Sequence, residues 1–344
     1  VVGKKLDEVR VVINGAGVAG IGVAKGLYVA GLDNVVLCDQ HGALRVYRME
    51  GMNWAKSEVA RLVRPHTFRG PLEEVTTGAD VYIGLSAKDL LTRDMVASMA
   101  RDPIVFALAL PEPEISEAEA KAGGAAVVAT ALSSSDNQIR SSLVTPGFFR
   151  GCLDVGAERV TVQMYLGAAR AIAGMIPQDK LSPTNIIPRQ MDWHISPVVS
   201  EAVAQAAQET GVAQLGPAEM APERVHERTE RYIYEGELAW LPQEGQDYGK
   251  LSINEEALEV HRRYQGVILV YTKVPIKDEV SYRQLYAPEA VAEVIQKVLA
   301  DPMAAYDYTC KSNLVAIVTD GSAVLGLGNI GPRAASPVME GKAV

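Results

Sequence analysis

Cysteine is scarce: Cys38, Cys152 and Cys310 are the only three in 344 residues. They are scattered, odd in number and free of any Cys-x-x-Cys pair, which excludes a disulfide scaffold and a paired-thiol redox or zinc site. Plain buried thiols are expected. No apolar run approaches the roughly 18 residues that a membrane helix needs. A basic-then-apolar leader is also lacking, so nothing marks export, and the expected setting is cytoplasmic. Positive charge is in deficit, with a formal net charge of -9 and no Lys/Arg stripe, which argues against nucleic acid and membranes as partners. The histidines His41, His66, His194, His226 and His261 have no metal spacing and read as surface or structural residues. Glu73-Glu74 and Glu255-Glu256 read as solvated helix faces. There is no internal repeat and no low-complexity segment.

What is present is a chain long enough for two domains. Its first half alternates continuous apolar strands with helices. Strands are expected over 10–14, 35–38, 79–85, 103–110 and 125–130, and helices over 17–30, 92–101 and 116–122. Apolar strands separated by helices mean a parallel sheet covered on both faces, the doubly wound α/β class. Helices follow over 155–176 and 196–211, the latter stopped by Gly211. The polar stretch 241–252 reads as a linker. Beyond it come a helix over 254–264, a strand over 267–271, a helix over 290–300, a strand over 314–319 and a Gly/Pro-rich loop region to the end.

Gly15-Ala16-Gly17-Val18-Ala19-Gly20 follows a strand and opens a helix. In that context the three glycines serve a dinucleotide pyrophosphate. Gly15 makes the tight turn, Gly17 admits the phosphate to the backbone, and Gly20 packs helix on strand. The free N–H groups of the helix start then face the phosphate charge. Asp39 ends the next strand, where a ribose-binding carboxylate belongs; it favours NAD over NADP because Gln40 and His41 bring no fixed positive charge beside it. Ser86, after the strand 79–85, lies at another strand C-terminus and reads as a cofactor neighbour or a helix N-cap. The second match, Gly326 to Gly331, runs into Pro332 and lacks a following acidic partner, so it reads as a structural loop.

Five stretches carry a resemblance to the malic enzymes of the small bacterial and archaeal type: VVINGAGVAGIGVAKGL at 11–27, GADVYIGLSA at 78–87, ARDPIVFALALPEPEI at 100–115, PGFFRGCLDV at 146–155, and the segment from Tyr308 to Val344. The resemblance implies NAD(P)-dependent oxidative decarboxylation of malate to pyruvate and a homodimer. It implies a Rossmann-type domain over 1–243, a junction over 244–253, and a partial N-terminal-type α/β domain over 254–344. The order is inverted relative to the family, as in a circular permutation, and an engineered chain would explain it. The resemblance also implies Lys342 as base, Tyr286 as acid, and Mn2+ or Mg2+ as the metal. The family's metal-ligand segment has no counterpart here, which leaves Asp320 as the one weak metal candidate. Asn137 remains where the family contacts substrate, and Arg140, which stands in place of a family Asn on a loop expected to be exposed, is the candidate partner of a substrate carboxylate, while Leu110, Leu132 and Ser141 replace polar family residues. A second reading is therefore an NAD(H)-binding protein without turnover.

Overall fold

The structure is a computed structural model that describes residues 1–63, 68–110, 112–132, 134–235, 258, 278–312, 316–322, 324 and 328–343. The expected linker 241–252 and strand 267–271, the helix 254–264 apart from Leu258, His66 and His261 lie outside the described residues. The chain forms two compact units, Val1–Tyr234 and Glu235–Val344.

The first unit is built on six strands: β1 (Val11–Asn14), β2 (Val35–Asp39), β3 (Gly42–Ala43), β4 (Val81–Gly84), β5 (Ile104–Ala107) and β6 (Val127–Thr130). Their spatial order is β3-β2-β1-β4-β5-β6. All pairs are parallel except β2 with β3. The strands are short and β-branched, and β1 and β6 are buried throughout, as a sheet covered on both faces requires. Helices α1 (Val18–Val29) and α2 (Trp54–Leu62) cover one face, packing Ala24, Val59 and Ala60 against Ile13 and Leu37. Helices α3 (Leu72–Thr76), α4 (Arg93–Ser98) and α5 (Glu117–Ala122) cover the other, with Val75, Met95, Val96 and Ala120 packed on Val12, Tyr82 and Val105. Thr92 and Ser116 start α4 and α5 by accepting from the N–H groups of Met95 and Glu119, the usual work of an N-cap hydroxyl. The winding direction reverses at β1, so the crevice of this sheet opens at the C-terminal end of β1, beside the glycine loop.

A third apolar cluster joins α6 (Thr145–Asp154), α7 (Val162–Gly174), α8 (Ile195–Glu209) and α9 (Pro222–Glu235). Helix α6 was not expected from the sequence. Pro146 falls in its first turn, where a missing N–H costs nothing. Its glycines let two helices touch: a Cβ at Gly151 would run into the Ser200 carbonyl. Helix α7 starts later than expected because Gly156 has φ +61° and Thr161 caps the helix.

The second unit contributes α10 (Glu279–Tyr286), α11 (Pro288–Ala300), α12 (Ala305–Tyr308) and α13 (Gly331–Ala343) among its described residues. Two expectations are corrected there. Residues 316–319 are not in a strand, and within the region expected as loop Gly331–Ala343 form α13, while the described residues between 321 and 330 lie outside any helix. Pro332 sits in the first helical turn, so only Pro337 offends the helix interior. No helix among the described residues is long and apolar enough to cross a membrane.

Candidate active site

The glycine loop turns directly from β1 into α1. Gly15 has φ +117°, and a Cβ there would collide with the Leu85 carbonyl at the end of β4. A side chain at Gly20 would likewise meet the Gly15 carbonyl. These two glycines therefore set the spacing between loop, sheet and helix. Gly17 is different: nothing lies within 4 Å of where its Cβ would stand. Val18 and Ala19 beside it are exposed. The first turn of α1 has no acidic residue and no side-chain cap. This is an open cradle of backbone at a positive helix end, the shape and charge a pyrophosphate needs. The residues present thus fit a dinucleotide.

Two neighbouring strand ends complete the rim. Ser86 is exposed just beyond β4, and its N–H donates to Glu114 Oε1 at 3.0 Å. It caps no helix. Glu114 also accepts from the Ala109 N–H, beyond β5, at 3.1 Å. This carboxylate is fully buried. It fills the space that a side chain at Gly84 would need. One acid thus buckles the β4 and β5 loops together at the sheet's C-terminal edge. Sequence reasoning missed it, because a Glu directly after Pro113 in the Pro-Glu-Pro-Glu stretch reads as solvated loop. Gly84, a glycine closing an apolar strand, was the available signal of a close approach. At the end of β1, Asn14 Nδ2 donates to the Tyr82 hydroxyl at 3.1 Å, and burial pushes that phenol's pKa up.

Asp39 is not bare. Oδ1 accepts from Arg48 Nη1 and from the His41 N–H, both at 2.9 Å. Oδ2 accepts from Arg48 Nη2 at 2.5 Å and Lys56 Nζ at 2.6 Å. Burial alone would raise this carboxyl; the bonds from Arg48, Lys56 and the His41 N–H outweigh it and hold the pKa down at about 2. Two fixed cations do stand beside Asp39, which corrects the sequence reading of an uncharged surrounding. They come from the loop after β3 and from α2, and no spacing rule connects them to Asp39. Next to it, burial pushes the Cys38 thiol up to about 12. Cys38 is a buried thiol as expected, whereas Cys310, in a short turn after α12, is exposed.

The substrate candidates are placed as follows. Asn137 is buried, and its amide is committed to backbone: Nδ2 donates to the carbonyls of Val128 and Pro183, and Oδ1 accepts from the Ile186 N–H. This ties β6 to the 183–186 segment. Arg140 is buried rather than exposed, with Nε donating to the Ala131 carbonyl at 2.6 Å; the loop folds back under β6, which a polar tripeptide pattern does not reveal. Tyr286 closes α10 and Lys342 lies in the last turn of α13. Asp320 is spent on its own turn, accepting from the Ser322 N–H at 2.9 Å. Hydrogen bonds from Ser322 lower its pKa. Among the described residues no three His, Cys, Asp or Glu side chains gather as a metal site would require, so the described residues do not fit a divalent cation. His41 faces Glu50, His194 faces Asp192 and His226 faces Glu201.

Residues 1–208 match the malic enzyme NAD-binding domain, and residues 267–344 match the malic enzyme N-terminal domain. The chain is 43% identical over 235 residues to the bifunctional malic/malolactic enzyme of Bacillus subtilis, covering 68% of this chain and 57% of that protein. It is 43% identical over 215 residues to the NAD-dependent malic enzyme of Geobacillus stearothermophilus, covering 62% and 44%. The crystal structure of malic enzyme from Pyrococcus horikoshii aligns with a TM-score of 0.64 at 31% identity, over 77% of this chain and 58% of that one. The chain thus spans about half the length of the curated relatives it matches. With the open glycine cradle at the reversal point of a doubly wound sheet, and with the family's NAD-binding domain matched over more than half of its length, this chain belongs to the malic enzyme family.

Proposed function

We propose that this chain binds NAD or NADP on the Gly15–Gly20 loop and acts as a malate oxidoreductase that releases pyruvate and carbon dioxide. The observation that carries the reading is the open backbone at Gly17, set at the crevice of a sheet that matches the malic enzyme NAD-binding domain. The bound nicotinamide would accept hydride from the carbon bearing the malate hydroxyl. The chain's own part is to hold the pyrophosphate at Gly17, Val18 and Ala19 and to border the ring with Ser86. Lys342 is proposed as the base that takes the hydroxyl proton, and Tyr286 as the acid that protonates the enolate carbon after carbon dioxide leaves. Both assignments rest on the resemblance. The bonds made by Asn137 favour a scaffold role for it. A divalent cation belongs to the proposal by resemblance alone, and no step is assigned to it.

The NAD-binding segment precedes the N-terminal-domain segment. That order supports reading 1–243 as the cofactor domain, 244–253 as a junction and 254–344 as the smaller domain, in permuted sequence. A homodimer in the cytoplasm completes the proposal. Appearance of reduced cofactor on adding malate, with and without Mn2+, tests it. Malate-dependent reduction with matching pyruvate supports the proposal. A folded sample that binds reduced cofactor but ignores malate would replace it with cofactor binding without turnover.

A further inference from the structure

Glu114 brings a negative charge to the crevice as well as a buckle. Its side chain is fully buried. Each carboxylate oxygen accepts one backbone N–H, Oε1 from Ser86 and Oε2 from Ala109. Among the described residues no Lys or Arg side chain bonds it. Lys88, in the loop after β4, pairs instead with Glu112 at 3.0 Å, out where both side chains are more than half exposed. Arg140, beyond β6, gives its Nε hydrogen to the Ala131 carbonyl. Two backbone dipoles thus satisfy the Glu114 oxygens without cancelling a full charge. In a dry setting such a charge acts at a distance. It is felt at Tyr82: burial raises that phenol's pKa most, the bond from Asn14 opposes the rise, and the Glu114 charge adds to it.

The position of this charge matters. A dinucleotide lies across the crevice where the strand order reverses, with its adenosine ribose at the end of β2 and its other half beyond β1. Here β4 is the strand on that other side of β1, followed by β5. Glu114 occupies the space beside Gly84, the last residue of β4. It therefore stands on the nicotinamide side. The nicotinamide ring is positive when oxidised and neutral when reduced, whereas the pyrophosphate and adenosine are the same in both forms. A fixed negative charge on this side tells the two forms apart.

We infer, on the cofactor reading above, that Glu114 is a specificity-determining residue for the oxidation state of the cofactor, its carboxylate favouring the cationic ring over the neutral one. Hydride leaves the malate carbon with its electron pair and adds to the ring, while the hydroxyl proton goes to the base. The ring then loses its positive charge and with it the attraction to Glu114. The oxidised cofactor, which the reaction consumes, is the better-held form, and the reduced product is released more readily.

Binding of the oxidised and reduced dinucleotides to the full chain tests this with no turnover, using NAD+ with NADH and NADP+ with NADPH. Nicotinamide fluorescence follows the reduced form, and competition against it gives the affinity of the oxidised form. The wild-type chain should bind the oxidised form at least as tightly as the reduced one. Glu114→Gln should weaken both as the buckle loosens, but the oxidised form by about tenfold more, the size expected for unit charges about 10 Å apart at an effective dielectric of about 20. Glu114→Asp keeps the charge and shortens the reach, so it should weaken both forms by a similar factor. A wild-type preference for the reduced form overturns the assignment. So does an affinity ratio unchanged in Glu114→Gln, or one that falls as far in Glu114→Asp as in Glu114→Gln. Each of these leaves the cofactor reading standing. Failure of every dinucleotide to bind the wild-type chain overturns both.

Discussion

Replacing Glu114 separates a buried buckle from a space filler. The side chain is fully buried and accepts from two backbone N–H groups, those of Ser86 and Ala109. Glu114→Ala orphans both donors, at about 1–3 kcal/mol each, and adds the cost of a cavity. A total loss of about 3–5 kcal/mol follows, a large share of a typical domain's stability. Glu114→Gln keeps the volume but turns one amide NH2 toward a backbone N–H. It loses one charge-assisted bond while relieving the desolvation of a buried charge, so about 1–3 kcal/mol is expected. Urea unfolding of the full chain, followed by emission of Trp54 and Trp193 in the first unit, gives both numbers. NADH affinity should fall in the Gln variant even under strongly native conditions, because the two loops bordering the cofactor are no longer tied. A Gln variant with wild-type stability and unchanged NADH affinity would refute the reasoning.

Three further outcomes follow from the same structure. The Asp39 carboxyl is held at about 2 in the folded chain against about 3.9 when unfolded. A depressed folded pKa means its stabilisation is complete above pH about 4 and is lost as pH falls toward 2. The amount is about 2 kcal/mol, and Asp39→Asn should flatten that part of a stability-against-pH curve; an unchanged curve contradicts the ion cluster. Gly151→Ala should lower the unfolding free energy by about 1–2 kcal/mol in a denaturant titration. The added methyl meets the Ser200 carbonyl, and overpacking outweighs the gain in helix propensity. Tyr286→Phe and Lys342→Ala should each cut malate-dependent turnover by about a hundredfold or more while NADH binding is retained, in keeping with acid–base roles; near-normal rates remove those residues from the mechanism.

Much of the cofactor fold was legible because its signals are local. Continuous apolar strands, helical spacing between them and a glycine triplet at one junction all lie within a few residues of each other. The same locality explains the failures. No helix was expected over α6, where Gly147 and Gly151 weaken the local helix signal and instead admit α8, a contact some 50 residues away. In α13 the prolines hid a helix, because the harmless first-turn position of Pro332 is plain only once the helix start is known. Asp39 was legible as the residue that ends β2, but its partners Arg48 and Lys56 lie in different elements, so its charge state was invisible. Asn137 reads as a substrate contact by resemblance, and only the folded chain shows its amide spent on the backbone of Val128, Pro183 and Ile186. Glu114 stands between strand and helix with no pattern to mark it as buried.

Gly17 offers the most direct test of the cofactor cradle. A side chain there has open space, and the backbone, at φ -86° and ψ -167°, is extended. Asp is also a favourable N-cap residue. Gly17→Asp should therefore fold with unchanged or slightly raised stability while placing a carboxylate against the pyrophosphate. The measurement is reduced-dinucleotide binding by fluorescence in Gly17→Asp and wild type, with thermal unfolding recorded in parallel. A loss of at least about a hundredfold in affinity with stability intact is the expected result, since like charges at contact cost several kcal/mol out of bulk water. Binding that survives the substitution undiminished would contradict the account, because the pyrophosphate would then rest elsewhere.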